Sequence, residues 1–577
     1  MRILLVHPQD QPRRWASQKW DLIIDLSWAP ANTYNQWTRE FQCPAVPFQK
    51  YCNLSEDLDL IRSISTKGAY LIDGEGIHWW ELFVLFFNDD MQLVAGVRRL
   101  AESFKPSDEV FVTRPCLEAE MLQRSRMFPV HLLSGSKLRR KVLHYVSELW
   151  ALPFWELRQI FWDKYDAGFA FRRHFAKKRD KAKARDVILA PSAYVNATKT
   201  AASFASKLPD LEFLLVSTRT SGKIANLPRN VATADLAGYA RRTEFGQEYE
   251  KILRMWQELS RELSFDTSTS VAYSMGLWDS FPEFVMRGLR IRDAWLGVLE
   301  SERIKVVLCC DNNPDTLLPV LLAKKRNIAT VSCHHGALDW RYRVISTHAD
   351  IIIAKSEMEQ DYLSRVCRIP ASQIQRSASD QQGRTFAKRS HVAGDAIVFF
   401  SEPYEGNKAR GKEIYEQVLP SLAGLAIREG RRLIVKLHPF ESMRRRRSLV
   451  RQILSAEQMR LAKVEIVAGP LTRQLLDQTW FGVTVISTVA MECAAVGVPC
   501  FLCKWLEYPH HEYGEQFRRF ALGHTLQSED ELLTIPAIIK DQYEDARIRI
   551  GFEPHTSTPE LERLFRSEER SVLLTAI

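Results

Sequence analysis

A handful of residues in the last third of the chain have the types and spacing to hold an anion. Lys436 and His438 stand two apart at the end of the apolar run Leu433-Ile434-Val435, and Pro439 halts that run. Residues two apart on a strand project to one side, so an ammonium and an imidazole face the same space. Ser487 and Thr488 close a second apolar run, Gly482 to Ile486, and precede the helical pattern Ala490-Met491-Glu492. Hydroxyls at such a point suit a helix N-cap, where unpaired backbone N–H groups favour a phosphate. Glu492, one turn further, is placed to accept hydrogen bonds from a ribose.

These residues meet only if the runs that carry them lie side by side. Short β-branched runs separated by helical patterns read as buried strands of a parallel sheet. In such sheets ligands gather where strands end and helices begin. Lys436, His438 and Pro439 occupy one such point, and Ser487 with Thr488 another.

Two further strand ends in the first half carry acid/base side chains. The expected strand Ala69–Ile72 runs into Asp73-Gly74-Glu75-Gly76, an acidic loop opened by glycines. A carboxylate there has the chemistry to take a proton from a hydroxyl, and an ordinary acidic turn is the competing reading. The expected strand Ile328–Ser332 runs into Cys333-His334-His335-Gly336. Either imidazole suits a phosphate donor or an acid/base near neutral pH, and a histidine bonded to loop backbone is the plainer alternative. The helix carrying Trp79, Trp80, Phe83, Phe86 and Phe87 reads as core.

A chain of 577 residues is expected to form more than one domain, with apolar residues enough for sizeable cores. The boundaries read as an acceptor domain over 1–376, a polar linker over 377–394 and a nucleotide-donor domain over 395–577. A helical insertion at 138–186 interrupts the first domain. It is aromatic first and basic afterwards, which suits either a packed helix pair or contact with an anionic membrane through 150–185. The charged tail after Asp541 is expected to fold back as helix.

The net charge of +9 fits a handler of anionic nucleotides or a neighbour of an anionic membrane, and no nucleic-acid signature accompanies it. The opening run is too short for a signal peptide and no run is long enough to span a bilayer, so a cytoplasmic protein is expected. The ten scattered cysteines suit reduced, packed thiols. Cys500 and Cys503, with His510 and His511 after them, have the composition of a zinc site. Both lie in an expected strand, where residues three apart point to opposite faces, so no metal is expected there.

The segment Lys436-Leu437-His438-Pro439, with Ser487-Thr488 and Met491-Glu492-Cys493-Ala494-Ala495-Val496-Gly497-Val498-Pro499, resembles bacterial capsule and surface-polysaccharide transferases. That group includes polysialyltransferases, capsule Kdo transferases and, more distantly, CDP-glycerol glycerophosphotransferases. The resemblance implies an α/β GT-B fold, with two Rossmann-like domains facing a cleft. It implies that the His-Pro and Ser/Thr motifs bind the nucleotide of a CMP- or CDP-activated donor, with Lys436 and His438 offsetting leaving-group charge. An acidic motif ending in glycine supplies the base in that group. Glu75-Gly76 matches its end, and Gly74 replaces its first acidic position, which leaves Asp73 as a rival. His334, His335 and Gly336 resemble the His-Gly turn of the same enzymes, with His335 as a further catalytic candidate.

The activity implied is transfer of a sugar from a nucleotide-sugar, a CMP-sugar by preference, to a surface glycan or lipid-linked glycan. A glycerophosphotransferase and a non-transferring epimerase-like protein are the alternatives. No metal or other cofactor is called for, and the expected place is the cytoplasm, with peripheral contact at the inner face of the membrane.

Overall fold

The computed structural model describes residues 1–577 apart from 8–9, 11–14, 16–17, 27–36, 39, 86–87, 115, 125–128, 134–168, 170–184, 220–225, 241–244, 267–268, 337, 339–340, 377–393, 403–407, 439–440, 470, 508–512, 521, 544–558 and 567–577. The linker up to residue 393, nearly all of the insertion, Phe86, Phe87, Pro439, His510 and His511 therefore lie outside the described residues.

The described residues build three parallel sheets. The first holds β1 (Arg2–Val6), β2 (Leu22–Asp25), β3 (Ala45–Pro47), β4 (Glu109–Val112) and β5 (Val130–Leu132), in the order β3-β2-β1-β4-β5. The middle sheet holds β6 (Val187–Ser192), β7 (Phe213–Ser217), β8 (Val231–Asp235), β9 (Ile304–Cys309), β10 (Ala329–Ser332), β11 (Ile351–Ala354) and β12 (Ile374–Arg376). Its order is β12-β11-β10-β9-β6-β7-β8. The last sheet holds β13 (Ala396–Phe400), β14 (Arg432–Lys436), β15 (Glu465–Val467), β16 (Thr479–Thr484), β17 (Cys500–Cys503) and β18 (His524–Leu526), ordered β15-β14-β13-β16-β17-β18. This is the α/β class that the alternation of apolar runs and helical patterns predicts. The stretch 1–376, read from sequence around one Rossmann-like unit, carries two sheets.

Burial explains the central strands. Every residue of β6, β7 and β13 is buried, because helices cover both faces and leave no side exposed to water. Helix starts follow short polar side chains: the Ser356 hydroxyl accepts from the Glu359 amide at 3.2 Å, and Ser455 forms a reciprocal capping box with Gln458.

The three sheets are not independent bodies. Ile3, Leu5, Val187, Leu189 and Val307 belong to one apolar core, which joins the first sheet to the middle one. Met358, Tyr362 and Leu363 share another core with Val398, Ala490 and Met491, which joins the middle sheet to the last. Asp361 and Arg519 pair at 3.0 Å across the same junction. The last described element is the helix Pro559–Arg566, whose Leu561 and Leu564 are buried beside β6 and β9 residues, so this helix of the tail folds back onto the middle sheet.

Two expectations fare differently. Cys500 and Cys503 fall into different cores, on opposite faces of their sheet, as strand alternation requires. The expected strand Ala69–Ile72 does not form: Ile72 makes one antiparallel bridge to His78, and 73–76 is the turn between them, closed by Gly76 at φ 73°. No described helix is long and apolar enough to cross a membrane.

Candidate active site

The carboxyl ends of the middle and last sheets face one another. Glu492, in the helix Val489–Ala495 that follows β16, has its carboxyl pushed up by burial and pulled back by three ammonium groups. These are Lys355 at the end of β11, Lys436 at the end of β14, and Lys199 in the helix Val195–Lys207 after β6. Lys436 in turn feels Glu441, Glu492 and Lys199, while burial lowers its own ammonium. Charges from two sheets that are distant in sequence thus act on one space around Glu492.

Within the last sheet, the His438 turn is held by buried polar bonds. Glu441, with its side chain shielded from solvent, accepts from the His438 amide at 2.8 Å, from the Ser401 hydroxyl at 2.8 Å and from Arg446 Nε at 2.7 Å. The Lys436 ammonium donates to the carbonyls of Leu437 at 2.8 Å and Gly469 at 2.6 Å. It therefore fastens β14 to the end of β15 and acts on the cleft through its field. Burial, and then the nearby Lys436, lowers the His438 imidazole to about 4, so the ring is uncharged at neutral pH. With no anion beside it the ring is a neutral hydrogen-bonding group.

The Ser/Thr turn is built from the neighbouring strand. Glu402, just past β13, accepts from the Thr484 hydroxyl at 3.1 Å and from the Ile486 amide at 2.7 Å. That bond fixes the direction in which the chain leaves β16. Ser487 then accepts from the Val489 amide at 3.4 Å, a long cap, while Thr488 at the N-cap position makes no side-chain cap.

On the facing side, register places the histidines. Ser332 of β10 pairs with Cys309 of β9, and the chains continue together, the His335 amide donating to the Cys310 carbonyl at 3.1 Å. His335 Nδ1 donates to that same carbonyl at 2.8 Å, which leaves Nε2 as the electron-pair side of the ring. The Tyr194 hydroxyl donates to that Nε2, and the two rings meet edge to face at 4.6 Å. His334 packs against His335 at 4.5 Å and is buried. The Gly336 carbonyl accepts from the Lys355 ammonium at 2.8 Å, which ties the His-Gly turn to the cation that acts on Glu492.

The acidic loop lies elsewhere, and both of its carboxylates are corrected as base candidates. Glu75 pairs with Arg326 at 2.9 Å, and Gly76 lies under the Lys325 side chain. Both basic residues stand at the end of the helix Pro314–Lys325, which starts beside Asp311 and runs back about 18 Å to the opposite edge of the sheet. Asp73 is enclosed: it accepts from the Ile77 amide at 2.8 Å, Trp79 Nε1 at 3.0 Å and Arg292 at 2.6 Å. Arg292 also pairs with Glu248 at 2.8 Å, and Glu248 accepts from the Gly74 amide. Asp73 therefore closes a buried ion network, while Glu75 is held in a partly exposed ion pair.

Of the sequence-derived residues, His334, His335, Gly336, Lys436, His438, Ser487, Thr488 and Glu492 stand at the facing strand ends. Glu402 and Glu441 carry no separate sequence signal, and Lys199 is visible only once its helix is placed. Lys355 ends an apolar run as Lys436 does, a signal that was open to reading.

No protein-family model matches the chain, and no curated protein matches it in sequence. Among solved structures, it is similar to a putative UDP-N-acetylglucosamine 2-epimerase from Listeria monocytogenes, at 14% identity and TM-score 0.41 over 67% of this chain and 98% of that one. It is also similar to UDP-GlcNAc 2-epimerase from Neisseria meningitidis, at 12% identity and TM-score 0.42 over 66% and 100%. The calicheamicin glycosyltransferase CalG4 aligns at 11% identity and TM-score 0.40 over 67% and 100%. At such scores these likenesses carry nothing about what the chain binds or does.

Proposed function

We propose that the chain is a glycosyltransferase that takes a sugar from a nucleotide-activated donor, a CMP-sugar by preference, and passes it to a surface glycan or a lipid-linked glycan. The observation that carries this reading is the sharing of one cleft by Glu492 and Lys436 of the last sheet with Lys199 and Lys355 of the middle one. A phosphate lying there meets ammonium charge from both sides, and charge-assisted bonds to phosphate oxygens are among the stronger ones. Glu492 is placed for ribose hydroxyls, with the Ser487–Thr488 turn beside it.

His335 takes the role of proton acceptor in place of Glu75. Its Nδ1 donates to the Cys310 carbonyl and its Nε2 accepts from the Tyr194 hydroxyl, whose place an acceptor hydroxyl takes when bound. Loss of the acceptor hydroxyl's proton to Nε2 accompanies attack on the anomeric carbon, and the nucleotide phosphate leaves with the bonding pair. General base catalysis of this kind contributes about 100-fold to 10,000-fold.

A thermal-shift screen against CMP, CDP, UDP and GDP, followed by mass analysis of acceptor products, tests the reading. One nucleotide is expected to raise the melting temperature selectively through mass action. His335→Gln is expected to cut turnover without changing that shift. Stabilisation by none of the four, or full transfer by His335→Gln, contradicts it.

A further inference from the structure

The helix that follows the His438 turn carries its charge on the outside. Between Met443 and Lys463 the chain has seven basic residues against one acidic residue, Glu457. The helix Met443–Ile453 is capped by Ser442, whose hydroxyl accepts from the Arg445 amide at 3.5 Å. Its inner face is apolar: Val450 is buried in the core of the last sheet, and Leu449 and Ile453 pack against that core. Arg446 also turns inward, pairing with Glu441 at 2.7 Å and lying over the Tyr415 ring at 5.2 Å.

The other arginines of this helix face water. Arg444, Arg447 and Arg451 follow one another at helical spacing over about 10 Å, with Arg445 beside them, and all four are exposed. Among the described residues, no carboxylate pairs with any of the four. Like charges three and four apart weaken a helix in water, so this face costs stability until an anionic partner meets it. The next helix, Ala456–Leu461, packs on the helix Lys408–Arg428, which also supports the first. At its end Leu461 is 42% exposed, and Arg460 and Lys463 are exposed on either side of it.

This composition points to the partner's chemistry. Guanidinium groups at one-turn spacing meet several phosphates at once, and guanidinium geometry matches phosphate. Proteins that hold single-stranded nucleic acid add aromatic side chains on which bases stack, and 443–463 contains none. An exposed leucine among cations is instead the pattern of a surface that rests on lipid headgroups.

We propose that the face formed by Arg444, Arg445, Arg447, Arg451 and Leu461 docks the chain on an anionic lipid bilayer. Docking does not depend on the transferase reading. One consequence does rest on it: Glu441 joins Arg446 to the His438 turn, so the face begins about one helical turn from the cleft, and docking brings the cleft to a lipid-linked acceptor.

The full chain is sedimented, without nucleotide, with phosphatidylcholine vesicles containing about a quarter phosphatidylglycerol, and with vesicles of phosphatidylcholine alone. Binding is expected to the first alone, and to weaken with salt. Arg447→Gln/Arg451→Gln is expected to bind about tenfold or more weakly, because each basic residue near such a surface counts for about fivefold. Arg254→Gln/Arg261→Gln removes the same charge from exposed positions on the helix Gly246–Phe265, and is expected to change binding less than about twofold. Leu461→Ser is expected to weaken binding with its salt dependence unchanged. For a variant that fails to fold, the wild-type chain gives the same reading: the anionic vesicles are expected to shield the four arginines from phenylglyoxal, mapped by mass spectrometry. No binding to anionic vesicles, equal losses in the two double variants, or unshielded arginines overturns the surface. Binding to soluble polyphosphate as tight as to vesicles, with no effect of Leu461→Ser on either, marks a site for a dissolved polyanion and overturns the bilayer. Failure of the nucleotide screen falls on the transferase reading alone.

Discussion

Glu75 and Arg326 are paired at 2.9 Å at the end of the helix Pro314–Lys325 that points away from His335. A carboxylate in that place cannot reach a hydroxyl in the cleft between the middle and last sheets. Glu75→Gln is therefore expected to keep turnover within about twofold of wild type, and to cost no more than about 1 kcal/mol of stability, as partly exposed pairs do. Steady-state kinetics and urea unfolding check both halves of this. A loss of 100-fold or more in turnover by a stably folded Glu75→Gln returns the base to the acidic loop.

Asp73 and Arg292 make the opposite kind of pair, with side chains only 0% and 6% exposed. Removing one partner strands a buried charge, so Arg292→Ala is expected to destabilise the chain by about 3–5 kcal/mol. Adding Asp73→Asn to Arg292→Ala is expected to recover part of that loss, because the stranded charge goes with it. Urea unfolding of the single and double variants measures the coupling. A double variant as unstable as the sum of the singles contradicts the ion-network reading.

Acid stability depends on three uncharged rings. His7, His348 and His438 are each lowered from 6.5 to about 4, with burial as the first cause. Between those values the unfolded chain binds protons that the folded chain does not, so each ring's contribution is complete above about 6.5 and is lost as pH falls toward 4. Glu441 and Glu492, raised by burial, act in the opposite sense over the carboxylate range, so the whole curve mixes both effects. The difference between wild type and His348→Asn isolates one ring. The variant is expected to gain on wild type by up to about one proton's slope as pH drops below 6.5. Parallel stability curves for the two proteins rule this out.

These outcomes show where sequence was informative. β13, β14 and β16 were legible because they are buried on both faces and read as continuous apolar runs. β3, β8, β12 and β18 were not, and all four are edge strands, where partial exposure breaks the run into polar pieces. Ala69–Ile72 misled in the other direction: the run is apolar, yet Tyr70 and Ile72 stand 43% and 40% exposed beside a turn. In the site, Lys436, His438 and Glu492 were legible as polar breaks after strands. The Glu75 loop shares the motif's letters, but its position depends on which end of the helix Pro314–Lys325 it meets, and no local pattern encodes that. Lys199 was out of reach for the same reason.

The most direct test of the shared cleft is the affinity of the stabilising nucleotide for Lys199→Ala, measured by calorimetry beside Glu492→Gln. Lys199 is exposed on a helix of the middle sheet, so its loss leaves the fold intact, while Glu492 belongs to the last sheet. The nucleotide is expected to bind Lys199→Ala about fivefold to tenfold more weakly, near 1 kcal/mol, with less dependence on salt, and Glu492→Gln more weakly as well. Unchanged affinity and unchanged salt dependence in Lys199→Ala mean that the middle sheet takes no part in holding the nucleotide, and contradict the account.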